Sequence, residues 1–507
     1  MRQMKPAPLS LPTALGAFAL ILMCAVPQAQ AQEFSAGPAP LLRENAGVRI
    51  GMEQIQLPGN ESMGMLGISY LIEIAPSLYF GPAVYGAITG QRGGFYTVGG
   101  ELSWGRKLIS NLHLVTGTYV GGGGGGSAAT GGGLMVRPHI DLMWNFDGYR
   151  AGISVSHVRF PNGQIRSNQL GFMLDFGTQF VHTDFDQQGQ HWSLTERTGV
   201  GFDRALLFAG AYKPSKSSTH IDGVPLQQSI GYVGTRMERF VTPHVYWGLE
   251  ATGAASGGVG GYAEFLGTGG AEMAVWGERM NLGARVALGM GGGGTVKVGG
   301  GLLVKTGVYA TANLGQDLHV ILEGGFARSP DGNFRATYST LALHWDLDHP
   351  YHPGTTSRII SNEWFAGTQR YMKATRSNGS KRDMDSLTIK LNRFLTKSIY
   401  LTGQAHSAYN GGAGGYSVGL VGAGYRTPTT SFGLSAGAEL LAGAGAGGGV
   451  ASSGGAIVQP MAYMTMNLSK AVSARAGVGR IKSLRGDLNS NLVDVGLSFS
   501  FGAGSRN

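Results

Sequence analysis

In the stretch LMVRPHIDLMWNF, His139 and Asp141 stand two residues apart and beside Arg137, all three on the polar side of an alternating segment. An imidazole held by a carboxylate can act as a general base, and it becomes a hydrolytic centre when a nucleophile or second acid faces it. The same spacing recurs at His344 and Asp346. Recurrence in a second segment speaks for a ladder of polar residues, in which Arg137 satisfies the carboxylate through charge-assisted hydrogen bonds. Glu101, Lys305 and Glu439 fall on the polar faces of other segments. Such residues either line a passage and set its ion preference or pair across a packed interior and block it. Glu101, Arg137, His139, Asp141, Lys305 and Glu439 are therefore the candidate pore-lining set, and no catalytic residue is assigned.

Other chemistries find no foothold. GGGGTVKVGGG, from Gly291, lacks the Gly-Lys-Ser/Thr ending of a phosphate-binding loop, and no strand-to-helix setting for a dinucleotide fingerprint accompanies it. HPYHPG, from His349, reads as a polar turn, and the one cysteine, Cys24, lies near the N-terminus. No metal site, no cofactor and no enzymatic activity is expected.

The elements that position these residues have the period of strands. In FYTVGGELSWG, Tyr96, Val98, Gly100, Leu102 and Trp104 share one face, and Thr97, Gly99, Glu101 and Ser103 the other. In LMVRPHIDLMWNF the division is apolar against polar, and in RATYSTLALHWDLD, Leu341, Leu343, Trp345 and Leu347 oppose Ala342, His344 and Asp346. Aromatic residues near strand ends (Tyr79, Trp104, Trp144, Trp276, Trp345) fit the interfacial girdles of a membrane barrel.

Self-comparison shows a repeat. IAPSLYFG (74–81) returns as VTPHVYWG (241–248) and as LTKSIYLTG (395–403), and glycine clusters recur in phase at Gly121–Gly126, Gly291–Gly294 and Gly443–Gly449. Aligned on these anchors, each copy reads as eight strands, which gives twenty-four. The expected divisions are a signal peptide (1–31), a short lead (32–46), repeat one (47–177), a joint (178–204), repeat two (205–347), a joint (348–362), repeat three (363–502) and a tail (503–507). With the N-terminus in the periplasm, one set of turns is short (APS, TPH, TKS, NFDGY, NLGQD, NLSKA), and the other set is long and glycine-rich. The glycine runs read as poor strand and mobile outer loop. The expected fold is all-β: a transmembrane antiparallel β-barrel of about 24 strands from three homologous eight-stranded segments, with three tandem eight-stranded barrels as the alternative.

Composition agrees with a chain exported to a membrane. Charged residues make up 14% and glycine 87 of 507 residues, a poor match to an ordinary soluble domain. Arg2 and Lys5 precede an apolar run to Val26 and a small-x-small site at Ala29-Gln30-Ala31, the form of a signal peptide for the Sec route. Its removal takes away only those two charges and lowers the formal net charge from +9 to +7. No basic run points to nucleic acid, and no second apolar stretch is long enough for a spanning helix.

The last strand, LVDVGLSFSF, places Val493, Val495, Leu497, Phe499 and Phe501 on one face. It resembles the C-terminal strand of Gram-negative outer-membrane β-barrel proteins. That resemblance implies residence in the cell outer membrane and insertion by the barrel-assembly machinery. The partners then expected are outer-membrane lipid and lipopolysaccharide, together with a secreted polymer or small solutes. The resulting functional expectation is an outer-membrane channel, either a porin-like diffusion pore or an export conduit for a surface polymer. Its alternatives are a structural or adhesive barrel presenting glycine-rich loops, and a barrel-embedded hydrolase using His139 and Asp141.

Overall fold

The structure is a computed structural model, in which residues 41–505 are described apart from 194–195, 276–278, 316–317 and 348–355. The signal peptide, Trp276 and the HPYHPG turn lie outside the described residues. Barrel one consists of β1 (Leu42–Leu57), β2 (Glu61–Ala75), β3 (Leu78–Thr89), β4 (Tyr96–Ile109), β5 (Leu112–Gly124), β6 (Met135–Phe146), β7 (Tyr149–Arg159) and β8 (Arg166–His182). A joint follows, carrying one 3-10 turn (Phe185–Gln187) and the short β9 (His191–Ser193). Barrel two consists of β10 (Arg204–Pro214), β11 (Ile230–Phe240), β12 (Val245–Ala254), β13 (Ala263–Val275), β14 (Met280–Gly292), β15 (Leu302–Asn313), β16 (Leu318–Arg328) and β17 (Arg335–Asp346). Barrel three consists of β18 (Thr356–Thr375), β19 (Lys381–Phe394), β20 (Ile399–Asn410), β21 (Ser417–Arg426), β22 (Leu434–Ala446), β23 (Ala456–Asn467), β24 (Val472–Ser483) and β25 (Asn489–Ser505).

Each set of eight closes on itself. β1 pairs with β8 from Leu42↔His182 to Glu53↔Gly171, β10 with β17 from Arg204↔Asp346, and β18 with β25 from Arg358↔Ser505. The expected strand count and threefold repeat are present, but the single wide barrel is not what the chain forms; the three-barrel alternative is. Closure of each repeat leaves no strand edge unpaired. Eight strands enclose an interior that side chains fill.

Residues alternate between lumen and exterior as the period of two demands. Outside, Ile140, Ile153, Leu170, Leu322, Phe326, Leu341, Leu440, Met464 and Val478 are exposed, and Trp104, Trp144, Tyr149 and Tyr425 stand near strand ends. An apolar band with aromatic borders is the lipid-facing surface of a membrane barrel. Inside, tyrosines lie over glycines of a neighbouring strand: a Cβ added at Gly67 would stand 2.2 Å from the Tyr85 ring, at Gly283 2.3 Å from Tyr309 and at Gly424 2.2 Å from Tyr400. The lumen glycines thus receive rings and do not widen the bore.

The barrels form a ring. β3 lies against β14, β12 against β22, and β20 against β5. In every case the third strand of one barrel meets the fifth strand of another. A head-to-tail contact of this kind, repeated around three units, closes a cyclic arrangement within one chain.

The glycine clusters make these contacts, which corrects their reading as mobile loops. Gly121–Gly124 belong to β5 and pair with Tyr96–Gly99 of β4. The amide of Gly93 donates to Gly299 O at 2.9 Å, linking barrels one and two, and that of Gly414 donates to Gly131 O at 3.0 Å, linking three and one. A Cβ at Gly94, whose φ is +88°, would stand 2.2 Å from Gly293 N. Backbones this close leave no room for a side chain, so the low β-propensity of glycine is overridden by the approach that only glycine permits.

At the opposite end lies the first joint. After β8 the chain does not pass directly to barrel two: β9 pairs with the start of β18, Thr183 bridges Gly502, and Gly504 N donates to Thr198 Oγ1 at 2.7 Å. The first joint therefore adds a strand to barrel three before Arg197, gripping Asp203 through two bonds of 3.0 Å, leads into β10.

Candidate functional site in the barrel lumens

All six expected pore-lining residues point inward, and all six are buried. In barrel one, Arg49 of β1 reaches Glu101 of β4 at 3.0 Å and Asp141 of β6 at 3.3 Å. His139 Nδ1 lies 3.0 Å from Asp141 Oδ2, and its Nε2 lies 3.5 Å from Glu101. Toward the glycine end, Arg137 grips Glu53 through two bonds of 2.8 Å while Ser156 donates to the same carboxylate at 2.7 Å. The alternation of β6 places Arg137, His139 and Asp141 in one inward row, and closure of the barrel brings β1 and β4 to meet it.

Barrels two and three repeat the scheme with different residues. Glu250 receives Arg236 at 2.9 Å, Arg285 at 3.1 Å and Lys305 at 2.8 Å, and Lys305 also reaches Glu264 at 3.2 Å. Glu439 is held by Arg475 at 2.8 Å, by Lys390 and by the Tyr400 hydroxyl at 3.0 Å. Every lumen is thus crossed by a plug of buried ion pairs. Sequence reasoning missed Arg49, Glu53, Arg236, Glu250 and Lys390, although each sits at an inward position of an alternating strand and was findable by that signal.

Above the plug, each barrel has an apolar cork at its glycine end. In barrel one it includes Ile55, Met63, Phe95, Met135, Phe160 and Ile165, all fully buried. Tyr212, Tyr262 and Phe334 lie in the corresponding cluster of barrel two, and Tyr371, Tyr416 and Leu488 in that of barrel three. Below the plug, barrel one opens into a cavity of about 760 Å³ at the joint end. Arg49 and Asp175 reach it from the lumen, and Glu196, Arg197 and Val200 of the first joint border its mouth.

For hydrolysis the geometry supplies an imidazole and a carboxylate. No hydroxyl forms a hydrogen bond with His139 among the described residues; its Nδ1 bonds to Asp141, and its Nε2 lies within ion-pair distance of Glu101 without a hydrogen bond. The pair is 3% and 0% exposed and lies among ion pairs rather than at a rim.

No family model matches the chain, and no curated protein matches it. Solved structures similar to it include the outer membrane protein opdK from Pseudomonas aeruginosa (9% identity, 91% of this chain and 99% of that chain, TM-score 0.22). The siderophore receptor PirA from Pseudomonas aeruginosa is 11% identical over 92% of this chain and 81% of that one, with a TM-score of 0.26. Pseudomonas aeruginosa OccK3 (OpdO) is 9% identical over 91% of this chain and 95% of that one, at 0.24. Overlaps at this level leave function to be argued from the chain's own geometry. By its closed antiparallel strands, apolar exterior and polar lumens, the chain has the architecture of a transmembrane β-barrel, with the eight-stranded unit closed three times.

Proposed function

We propose that this chain is an outer-membrane channel protein in a closed state, with one narrow polar path per barrel and no wide common bore. The observation that carries the reading is barrel one: its 760 Å³ cavity enters from the joint end and stops at Arg49, where the polar column of Glu101, His139, Asp141, Arg137 and Glu53 begins. Such a column suits small ions and hydrogen-bonding solutes, with preference set by the inward charges. An export conduit for a surface polymer fits poorly, because an eight-stranded bore is the width of its own side chains.

A second reading, a structural barrel ring, is favoured by the cork-and-plug closure of every lumen. Planar-bilayer recording separates the two. The wild-type chain is expected to give only small or rare conductance steps. The variant Arg49→Ala, Asp141→Ala, Phe95→Ala, Phe160→Ala removes one charge of each sign from the plug and two rings from the cork above it, and is expected to raise open-channel current several-fold. A correctly folded, heat-modifiable variant of this kind that stays silent would overturn the channel reading and leave the structural one.

A further inference from the structure

The joint end of barrel two holds a cluster that the plug does not use. His319, near the start of β16, lies directly opposite His344 of β17 in the strand register, and Asp346 follows two residues later. Period two sends His344 and Asp346 to the same face, and cross-strand pairing places His319 beside them. His319 Nε2 lies 3.1 Å from one oxygen of Asp346, and His344 Nε2 lies 2.7 Å from the other. The donor atoms of all three residues fall within 4.8 Å of one another.

We propose that His319, His344 and Asp346 form a binding site for a divalent transition-metal ion of the zinc class. Two imidazoles and a carboxylate match the nitrogen and oxygen donors that zinc takes in open, three-ligand sites, whereas calcium and magnesium call for oxygen throughout. Metal–ligand bonds near 2 Å put tetrahedral donors roughly 3.3 Å apart, so small rotations of side chains already gathered around one point admit the ion. Asp346 and His319 are 15% and 16% exposed while His344 is 1% exposed. The site is thus anchored inside the barrel by His344, with two of its three side chains in contact with solvent.

The surroundings distinguish this cluster from the His139–Asp141 pair of barrel one, which has the same spacing on a different strand. There, the guanidinium of Arg49 occupies the carboxylate of Asp141 directly, at 3.3 Å. In barrel two the nearest guanidinium, that of Arg204, stands 3.7 Å from Asp346 and is engaged by Glu272 through bonds of 2.8 and 2.6 Å. That guanidinium has a carboxylate partner of its own, and a second imidazole, that of His319, lies 3.1 Å from Asp346. The buried Nδ1 of His344 has no hydrogen-bond partner among the described residues, so that ring meets polar groups only at the cluster.

The test uses the full chain, refolded and stripped of metal. Cobalt(II) is titrated while visible d–d absorption is followed, and zinc is then added as competitor. One equivalent of cobalt is expected to develop bands that zinc abolishes. His344→Ala and Asp346→Asn are expected to weaken binding at least about tenfold, the loss that follows when only a group orienting a ligand is removed. His157→Ala, on a half-buried position of barrel one away from the cluster, is expected to leave the titration unchanged. Heat-modifiable migration confirms that each variant is folded. The proposal is overturned if the folded wild-type chain develops no bands, or if the triple variant His319→Ala, His344→Ala, Asp346→Asn keeps them. Neither result depends on whether the chain conducts, so the site and the channel reading stand or fall separately.

Discussion

At the scale of single residues, the lumens pit the cost of burying charge against the benefit of pairing it. Arg137 is 1% exposed and Glu53 8%, so neither tolerates loss of its partner. Arg137→Met leaves Glu53 with the Ser156 hydroxyl alone and is expected to cost roughly 3–5 kcal/mol, the range for breaking a buried pair. Arg137→Met with Glu53→Gln is expected to cost less than the single change, because no unpaired charge remains. Urea unfolding in lipid vesicles, followed by tryptophan fluorescence, measures both. Equal losses would show that the pair contributes packing and not charge compensation. Residue identities inside the barrels were legible at this scale: Glu101, Arg137, His139 and Asp141 face inward because strand period two places them there. Their partners were not, since Arg49 and Asp141 meet only after the strands between them have paired around the barrel.

Among the elements, the six glycines from Gly121 show where local propensity misleads. Glycine is a weak strand former, so the run reads as loop, yet Gly121–Gly124 pair in β5 and the cluster packs on barrel three. The deciding term is the approach of another backbone, which a single sequence does not display. Substituting Gly94 by Val places a side chain where Gly293 N stands and forces an unfavourable positive φ. We expect the contact between barrels one and two to open while both barrels stay folded. Amide hydrogen exchange reads this out: the Gly93 amide, bonded to Gly299 in the parent chain, is expected to exchange quickly, and the Gly414 amide, bonded to Gly131, to keep its protection. Loss of protection at both would mean that the ring opens as one unit.

For the whole molecule, strand number and repeat were readable, but the number of barrels was not. One wide barrel and three small ones share every strand and every hairpin. They differ only in whether β8, β17 and β25 pair with the first strand of their own repeat or with the next one. The two long joints between repeats are the sequence feature that weighs toward three, and the path of the first along β18 and β25 explains its length. Cleavage within residues 183–198 is expected to leave a single particle in mild detergent, because ring contacts on both sides of barrel one hold the pieces. After stronger detergent the fragments are expected to migrate separately, each still heat-modifiable. Fragments that unfold on separation would show that the units depend on one another for closure.

The ring also changes what kind of equilibrium holds the units together. Three separate chains would associate as a function of concentration and would need one surface that fits itself around the circle. Here the joints supply the neighbours at a fixed effective concentration, so dilution does not disperse them. Each of the three contacts also joins different residues: Gly94 meets Gly293, Gly131 meets Gly414, and Gly455 meets Ala254. Tethering has thus released the interfaces from identity, and a substitution at one of them weakens a third of the ring where the same change in a homotrimer would weaken all of it.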